Sequence, residues 1–289
     1  MVIEIIDILM SGLLMGGIYA LIAVGLSMQY GVARVLNVSH GEFIMLGAFI
    51  TWTLYTFFKV NPLLSLVVCG PVMLLVGYLL HKTLYRSIRI SSGGEAAFES
   101  NSMLASFGLL FIIQNSAILI WGASIKGYSY LAFPINIGSA IFPANRLVTL
   151  LFAALICAVF YFFLSRTRIG KAIRAASQDP EAAGLMGVNI NRVLALCFGL
   201  GALMAGLAGT LLSMCFKVQP TMGLEYTLIA IIVVVLGGLG SIPGSFIGGF
   251  ILGLIGSIVS AIEPSLSLVA YYVIFMLLLL VKPKGILGR

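Results

Sequence analysis

Charge is scarce in this chain. Asp, Glu, Lys and Arg make up 9% of its 289 residues, 61% are hydrophobic, and the mean hydropathy is +1.16. A soluble globule needs a polar shell that this composition cannot supply. Repeated apolar runs of about 20 residues instead match a hydrocarbon layer ~30 Å thick at 1.5 Å rise per residue, so the chain is an integral membrane protein. Strict period-2 alternation is also missing, which argues against an outer-membrane barrel and for an all-α, polytopic fold. Cysteine is sparse as well. Cys69, Cys157, Cys197 and Cys215 lie in or at the ends of apolar runs, with no C-x-x-C and no His or acid at ligand spacing, so they read as small core residues and no metal site is expected.

Two chemistries lack their motifs. A nucleotide-binding G-x-x-x-x-G-K-[ST] does not occur: Gly170-Lys171 is followed by Ala172, and Ser165 stands where the first glycine belongs. No G-x-S-G is present, and the adjacent Ser39-His40 cannot form a nucleophile-base pair across two helices. No catalytic residue is assigned, and the chain does not read as an enzyme. The N-terminus places Glu4 and Asp7 where a signal peptide carries Lys or Arg, so the first apolar run is expected to be retained.

Apolar spans fall at about 8–29, 42–58, 62–81, 102–121, 146–164, 192–215, 225–240, 245–262 and 266–282, which gives eight or nine transmembrane helices in a single domain over 1–289. The glycine-rich stretches 31–41 and 236–245 are candidates for re-entrant or broken helices. The net charge of +7 is informative through its distribution rather than as a sign of nucleic-acid binding. With the N-terminus outside, the inner loops hold 12 basic residues: Arg34, Lys82, Arg86, Arg89, Arg166, Arg168, Lys171, Arg174, Arg192, Lys282, Lys284 and Arg289. The outer side holds four, Lys59, Lys126, Arg146 and Lys217. The positive-inside rule therefore places the N-terminus outside and the C-terminus in the cytoplasm.

Three longer stretches lie between spans. Residues 82–101 read as a flexible cytoplasmic connection, and 122–145, with Pro134 and Pro143 among aromatics, as a folded outer cap. Small residues four apart, such as Gly12/Gly16, Ala202/Gly206 and Gly249/Gly253, predict close helix packing within the subunit. The third stretch, 165–191, contains "QDPEAAGLMG" at 178–187. Asp179 is a good N-cap, Pro180 suits the first helical position, Glu181 complements the helix dipole, and Gly187 can take the left-handed C-cap conformation. These define a helix of about two turns whose exposed residues are the small Ala182, Ala183 and Gly184, with Leu185 and Met186 as its large apolar groups. Such a helix is too short to be stable alone and needs a partner. The basic cluster upstream, including Arg174, would meet lipid headgroups or acids on that partner.

Polar residues inside the apolar stretches are functional candidates by default. Asn37, Ser39, His40, Gly41 and Glu42 sit where the chain re-enters the membrane and could form a gate, a proton relay or a path wall. They also describe a helix start, in which Ser39 caps and Glu42 completes a capping box, and this structural reading is favoured. Gln114 and Asn115 lie mid-span and are expected to face the subunit interior.

"EAAGLMG" resembles the E-A-A-x-x-x-G loop of bacterial ABC-importer permeases, whose short coupling helix docks into a groove on a separate ATPase. "GLSMQYGVARVLNVSHGEFIMLGAF" (25–49) resembles the G-x-x-R-V-x-N-x-x-H-G-x-x-x-M-L-G-A signature of the branched-chain amino acid permeases, and 168–209 resembles that family's coupling region and following helix. The likeness covers essentially the whole chain, and its length resembles the shorter, H-type member of the permease pair. The downstream "NINRV" departs from the I-x-L-P ending of the general loop. The resemblance implies an importer subunit in the bacterial inner membrane for branched-chain or related neutral amino acids. It implies two ATPase subunits carrying ATP and magnesium, a second and longer M-type permease, and a periplasmic binding protein on the outer loops, with no cofactor bound by this chain. Coupling to the ATPase would fall to Arg174, Asp179, Pro180, Glu181, Ala182, Ala183 and Gly187. The rival is a proton-coupled secondary transporter of a small neutral solute working through His40 and Glu42.

Overall fold

The computed structural model describes residues 2–137, 140–282 and 285–287; Lys284 and Arg289, counted above on the inner side, lie outside them. The chain forms α1 (Val2–Ala33), α2 (His40–Phe58), α3 (Pro62–Leu80), α4 (Arg86–Ser91) and α5 (Glu95–Trp121), then a hairpin of β1 (Pro134–Ile137) and β2 (Ala140–Pro143). There follow α6 (Ala144–Arg166), α7 (Arg168–Gln178), α8 (Pro180–Leu185), α9 (Ile190–Cys215), α10 (Met222–Gly237), α11 (Ile242–Ile262) and α12 (Ser267–Val281). Eight helical segments among the described residues are long and apolar enough to cross a membrane, and α10, at 16 residues, is a shorter ninth apolar helix.

The most enclosed span is α9, with 83% of its apolar window buried. It packs against α1, α2 and α3, and the small residues named above make the contacts: Gly206 lies against Met73, and Ala202 against Gly77. Helices α1 and α11 run side by side with nearly bare backbones touching, Gly253 against Gly16 and Gly249 against Ala20. The spaced small residues thus serve packing within this chain.

Two connections depart from the sequence reading. The 82–101 segment is not a flexible loop: α3 continues through a π-type turn (His81–Tyr85) into α4, and α5 begins at Glu95. Arg89 explains the order. Its Nη2 donates to the Ala33 carbonyl at 2.7 Å, and its guanidinium lies 4.1 Å from the centre of the Phe98 ring, tying α4 to the end of α1 and the start of α5. The 122–145 segment is folded, as expected. Pro134 pairs with Pro143 across the hairpin, Lys126 bridges to Val218, and the hydroxyl of Tyr130 donates to Asn61 Oδ1 at 2.8 Å. Tyr128 and Ser213 are joined at 2.9 Å between their hydroxyls, and burial raises the Tyr128 phenol above its ordinary range.

Candidate functional site

Two polar constellations stand out against the apolar bundle. The first is the 165–191 segment. Thr167 Oγ1 accepts from the amide of Gly170 at 3.0 Å and starts α7, which turns Gly170, Ile173 and Ala176 inward and its charges outward. This is the three-to-four spacing of an amphipathic surface helix. Arg174 does not project freely from it: Nη2 donates back to the Ser165 carbonyl at 3.2 Å, bracing α7 on the end of α6.

Asp179 then caps α8, its Oδ1 accepting from the amides of Glu181 at 3.0 Å and Ala182 at 2.9 Å, with Pro180 at the first helical position. Gly187 ends the helix at φ +84°; its amide donates to the Gly184 carbonyl and that of Val188 to the Ala183 carbonyl, the paired closure of a glycine C-cap. The helix has six residues, slightly under two turns. One assignment changes: Ala183 is only 6% exposed and faces the bundle, so the outer face is formed by Ala182, Gly184, Leu185 and Met186. Leu185 and Met186 are 90% and 86% exposed.

The second constellation is the non-helical stretch 34–39 with the start of α2. Helix α1 continues to Ala33, and the chain then folds back so that His40 Nε2 donates to the carbonyl of Ile22 at 3.1 Å, eleven residues before the helix end. A break of this kind is tolerated in a membrane protein only where protein covers it, and here polar side chains of five elements satisfy it. Asn37 is the hub. Its Oδ1 accepts from the Ser39 amide and hydroxyl at 3.2 and 2.7 Å and from the Tyr85 hydroxyl at 3.2 Å. Its Nδ2 donates to Gln29 Oε1 at 3.4 Å, and Gln29 Nε2 donates to the Phe198 carbonyl at 3.1 Å. Ser106 Oγ of α5 accepts from the Val38 amide at 3.0 Å. Thr227 of α10 accepts from the Gly41 amide at 2.8 Å and lies 3.0 Å from the Val38 carbonyl.

The expected capping box does not form. Ser39 gives its hydroxyl to Asn37 instead of capping α2, and both carboxyl oxygens of Glu42 lack a hydrogen-bond partner among the described residues. The Glu42 carboxyl rests against Gly223, where a Cβ would collide with it, and Gly41 likewise meets the Gly223 carbonyl. Asn37, His40 and Glu42 are fully buried. The partners Gln29, Tyr85, Ser106 and Thr227 are not foreseen from sequence; their only local sign is a polar group within an apolar run.

The mid-span pair is placed differently from expectation. Helix α5 meets the rest of the chain through Phe98, Ser102, Ser106, Leu110 and Ala117. Gln114 is half-buried beside that stripe, whereas Asn115 is off it and exposed, with Nδ2 donating to the Phe111 carbonyl at 2.8 Å. That bond within the helix lets the amide face away from the subunit.

Taken together, many apolar spans, a re-entrant polar break and a capped helix outside the spans make this a multi-pass membrane protein. The family model described as "Branched-chain amino acid transport system / permease component" matches residues 8–281. The chain is 32% identical to the high-affinity branched-chain amino acid transport system permease protein BraD of Pseudomonas aeruginosa, over 97% of this chain and 95% of that one. It is 31% identical to permease protein LivH of Escherichia coli K12, over 96% and 94% of the two chains. It is 27% identical to a probable branched-chain amino acid transport permease protein LivH of Methanocaldococcus jannaschii, over 97% and 92%. No solved structure matches it. The chain belongs to the branched-chain amino acid transport permease family and is a multi-pass protein of the inner membrane.

Proposed function

We propose that this chain is one of the two membrane subunits of an ATP-driven importer that moves branched-chain or related neutral amino acids inward. The observation that carries the reading is α8. A six-residue helix closed by Asp179 and Gly187 holds its last residue Leu185 and its C-cap residue Met186 almost fully exposed. Two large apolar side chains held out on a helix too short to stand alone suit insertion into a groove of another protein. In this reading the groove belongs to an ATPase subunit that binds ATP and magnesium, and closure of two such subunits moves α8. The movement passes through α7 to α6, α9 and α1, on which α7 packs.

The distribution of basic residues supports an outer N-terminus and a cytoplasmic coupling segment. A longer permease is the expected second membrane subunit, and a periplasmic binding protein would dock on the folded 122–145 cap. The buried Asn37, His40, Gly41 and Glu42 are assigned to holding the re-entrant break and its contact with α10 rather than to touching solute.

The test is uptake of radiolabelled L-leucine into proteoliposomes holding the permease pair, the ATPase subunits and the binding protein. Uptake should require ATP inside the reach of the ATPase and continue when the proton gradient is collapsed. Uptake driven by a proton gradient without ATP would refute the reading and favour the secondary transporter.

A further inference from the structure

A cavity of about 580 Å³ opens at the end of the bundle that carries the start of α1, the start of α10 and the turn between α11 and α12. Its volume is within the range of small-molecule sites. Three charged residues from three helices line it: Asp7 of α1, Glu225 in the first turn of α10 and Arg146 in the first turn of α6. No ion pair joins them among the described residues. The buried Tyr19 and Tyr271, whose hydroxyls are 3.4 Å apart, and the buried apolar Ile229 also line it.

The signs of the charges restrict the ligand. A simple anion would face Asp7 and Glu225, and a simple cation would face Arg146. A solute that carries both signs can satisfy the acids and Arg146 at once. Arg146 has a further reason to draw an anion, because it sits at the positive end of the α6 dipole, where a cation is disfavoured. A carboxylate there gains charge-assisted hydrogen bonds from a planar donor pair.

We propose that this cavity is a receiving site for a zwitterionic α-amino acid, with Arg146 taking the carboxylate, Glu225 and Asp7 the ammonium, and Ile229 lying beside the side chain. The proposal rests on the amino-acid importer reading above and names the part of this chain that first meets the solute. The charges are partly exposed to water, where ion pairs are weak. The site therefore binds in the millimolar range and releases its solute onward.

The test uses the complete permease–ATPase assembly in nanodiscs without its binding protein. Binding of radiolabelled L-leucine is measured by equilibrium dialysis, with two competitors: leucine methyl ester, which lacks the anion, and 4-methyl-2-oxopentanoate, which lacks the cation. Saturable millimolar binding is expected, and neither competitor should displace it. Arg146→Ala and Glu225→Gln should each weaken it about tenfold, the scale of one lost charged hydrogen bond, and Arg146→Lys should recover part of the loss. No saturable binding by the wild type, wild-type affinity in either charge variant, or displacement by the methyl ester would overturn the proposal. ATP-driven uptake separates this failure from failure of the underlying reading. Unchanged uptake kinetics in Arg146→Ala and Glu225→Gln would remove the cavity alone, whereas a wild-type assembly that takes up no amino acid with ATP would remove the importer reading as well.

Discussion

Replacing Asp179 separates helix capping from charge contact at the proposed ATPase docking element. Its Oδ1 accepts from the amides of Glu181 and Ala182 at 3.0 and 2.9 Å, and these are two of the four amides that the start of any helix leaves unpaired. Loss of such a cap to alanine costs about 1 kcal/mol. Helix α8 has no reserve against that loss, because isolated helices shorter than about 12 residues are marginal. At 25 °C, ~1 kcal/mol is roughly a fivefold change in the ratio of formed to unformed helix. If docking selects the formed helix, Asp179→Ala weakens ATPase association by up to about fivefold. Asparagine caps as well as aspartate, and glycine at this position costs only a few tenths of a kcal/mol. The expected order of affinity is therefore Asp close to Asn, then Gly, then Ala. Titration of purified ATPase subunit against the permease in nanodiscs reads the affinity, and L-leucine uptake reads the consequence. An Asn variant as weak as the Ala variant would refute the capping argument and assign the effect to the carboxylate's charge. Equal affinities in all variants would remove α8 as the docking element.

Two other perturbations test the two constellations separately. Leu185→Asp and Met186→Asp should reduce ATPase affinity tenfold or more while thermal unfolding in detergent stays unchanged, since both side chains are almost wholly exposed and surface substitutions usually stay within about 0.5 kcal/mol; a matching loss of stability would show instead that they pack within this chain. Gly223→Ala places a Cβ on the Glu42 carboxyl and should destabilise by about 1–3 kcal/mol, whereas Glu42→Ala removes the obstacle. The double variant should then be more stable than the sum of the single effects by about 1 kcal/mol in a thermal-unfolding cycle, and strict additivity would refute the contact.

What was legible in the sequence was what short-range chemistry decides. The caps of α8 lie within nine residues of one another, so Asp179, Pro180 and Gly187 announce the helix without help from the rest of the chain. The spans were legible because their length follows from the membrane. The re-entrant break at 34–39 is indicated by the flanking Gly31 and Gly41 and by its polar residues, but its partners are not: Tyr85 is 48 residues from Asn37, and Thr227 is 186 from Gly41. Only tertiary packing brings such pairs together. The same packing overrode the Ser39–Glu42 capping box, since Asn37 offers Ser39 a nearer acceptor and Glu42 turns toward α10. The face on which Asn115 lies is not legible because apolar residues surround the membrane-embedded part of α5 on every side. Helix α4 is not legible in the sequence because its order comes from Arg89 reaching Ala33 and Phe98, not from its own composition.

The caps along 167–189 have a mechanical consequence. Thr167, Asp179 and Asn189 each stand in extended backbone between two helices, and each accepts, through its own side chain, an amide of the helix that follows. The rods are therefore closed at their leading ends by their own caps, and one side-chain bond, Arg174 to the Ser165 carbonyl, crosses the first joint. A change of angle at the joints leaves the cap bonds intact, and its resistance comes from the Arg174–Ser165 bond at the first joint and from the inward contacts of Ile173, Ala176 and Ala183. A force on α8 is thus carried as rotation of stiff pieces, like a crank with three pins, and is not dissipated by unwinding.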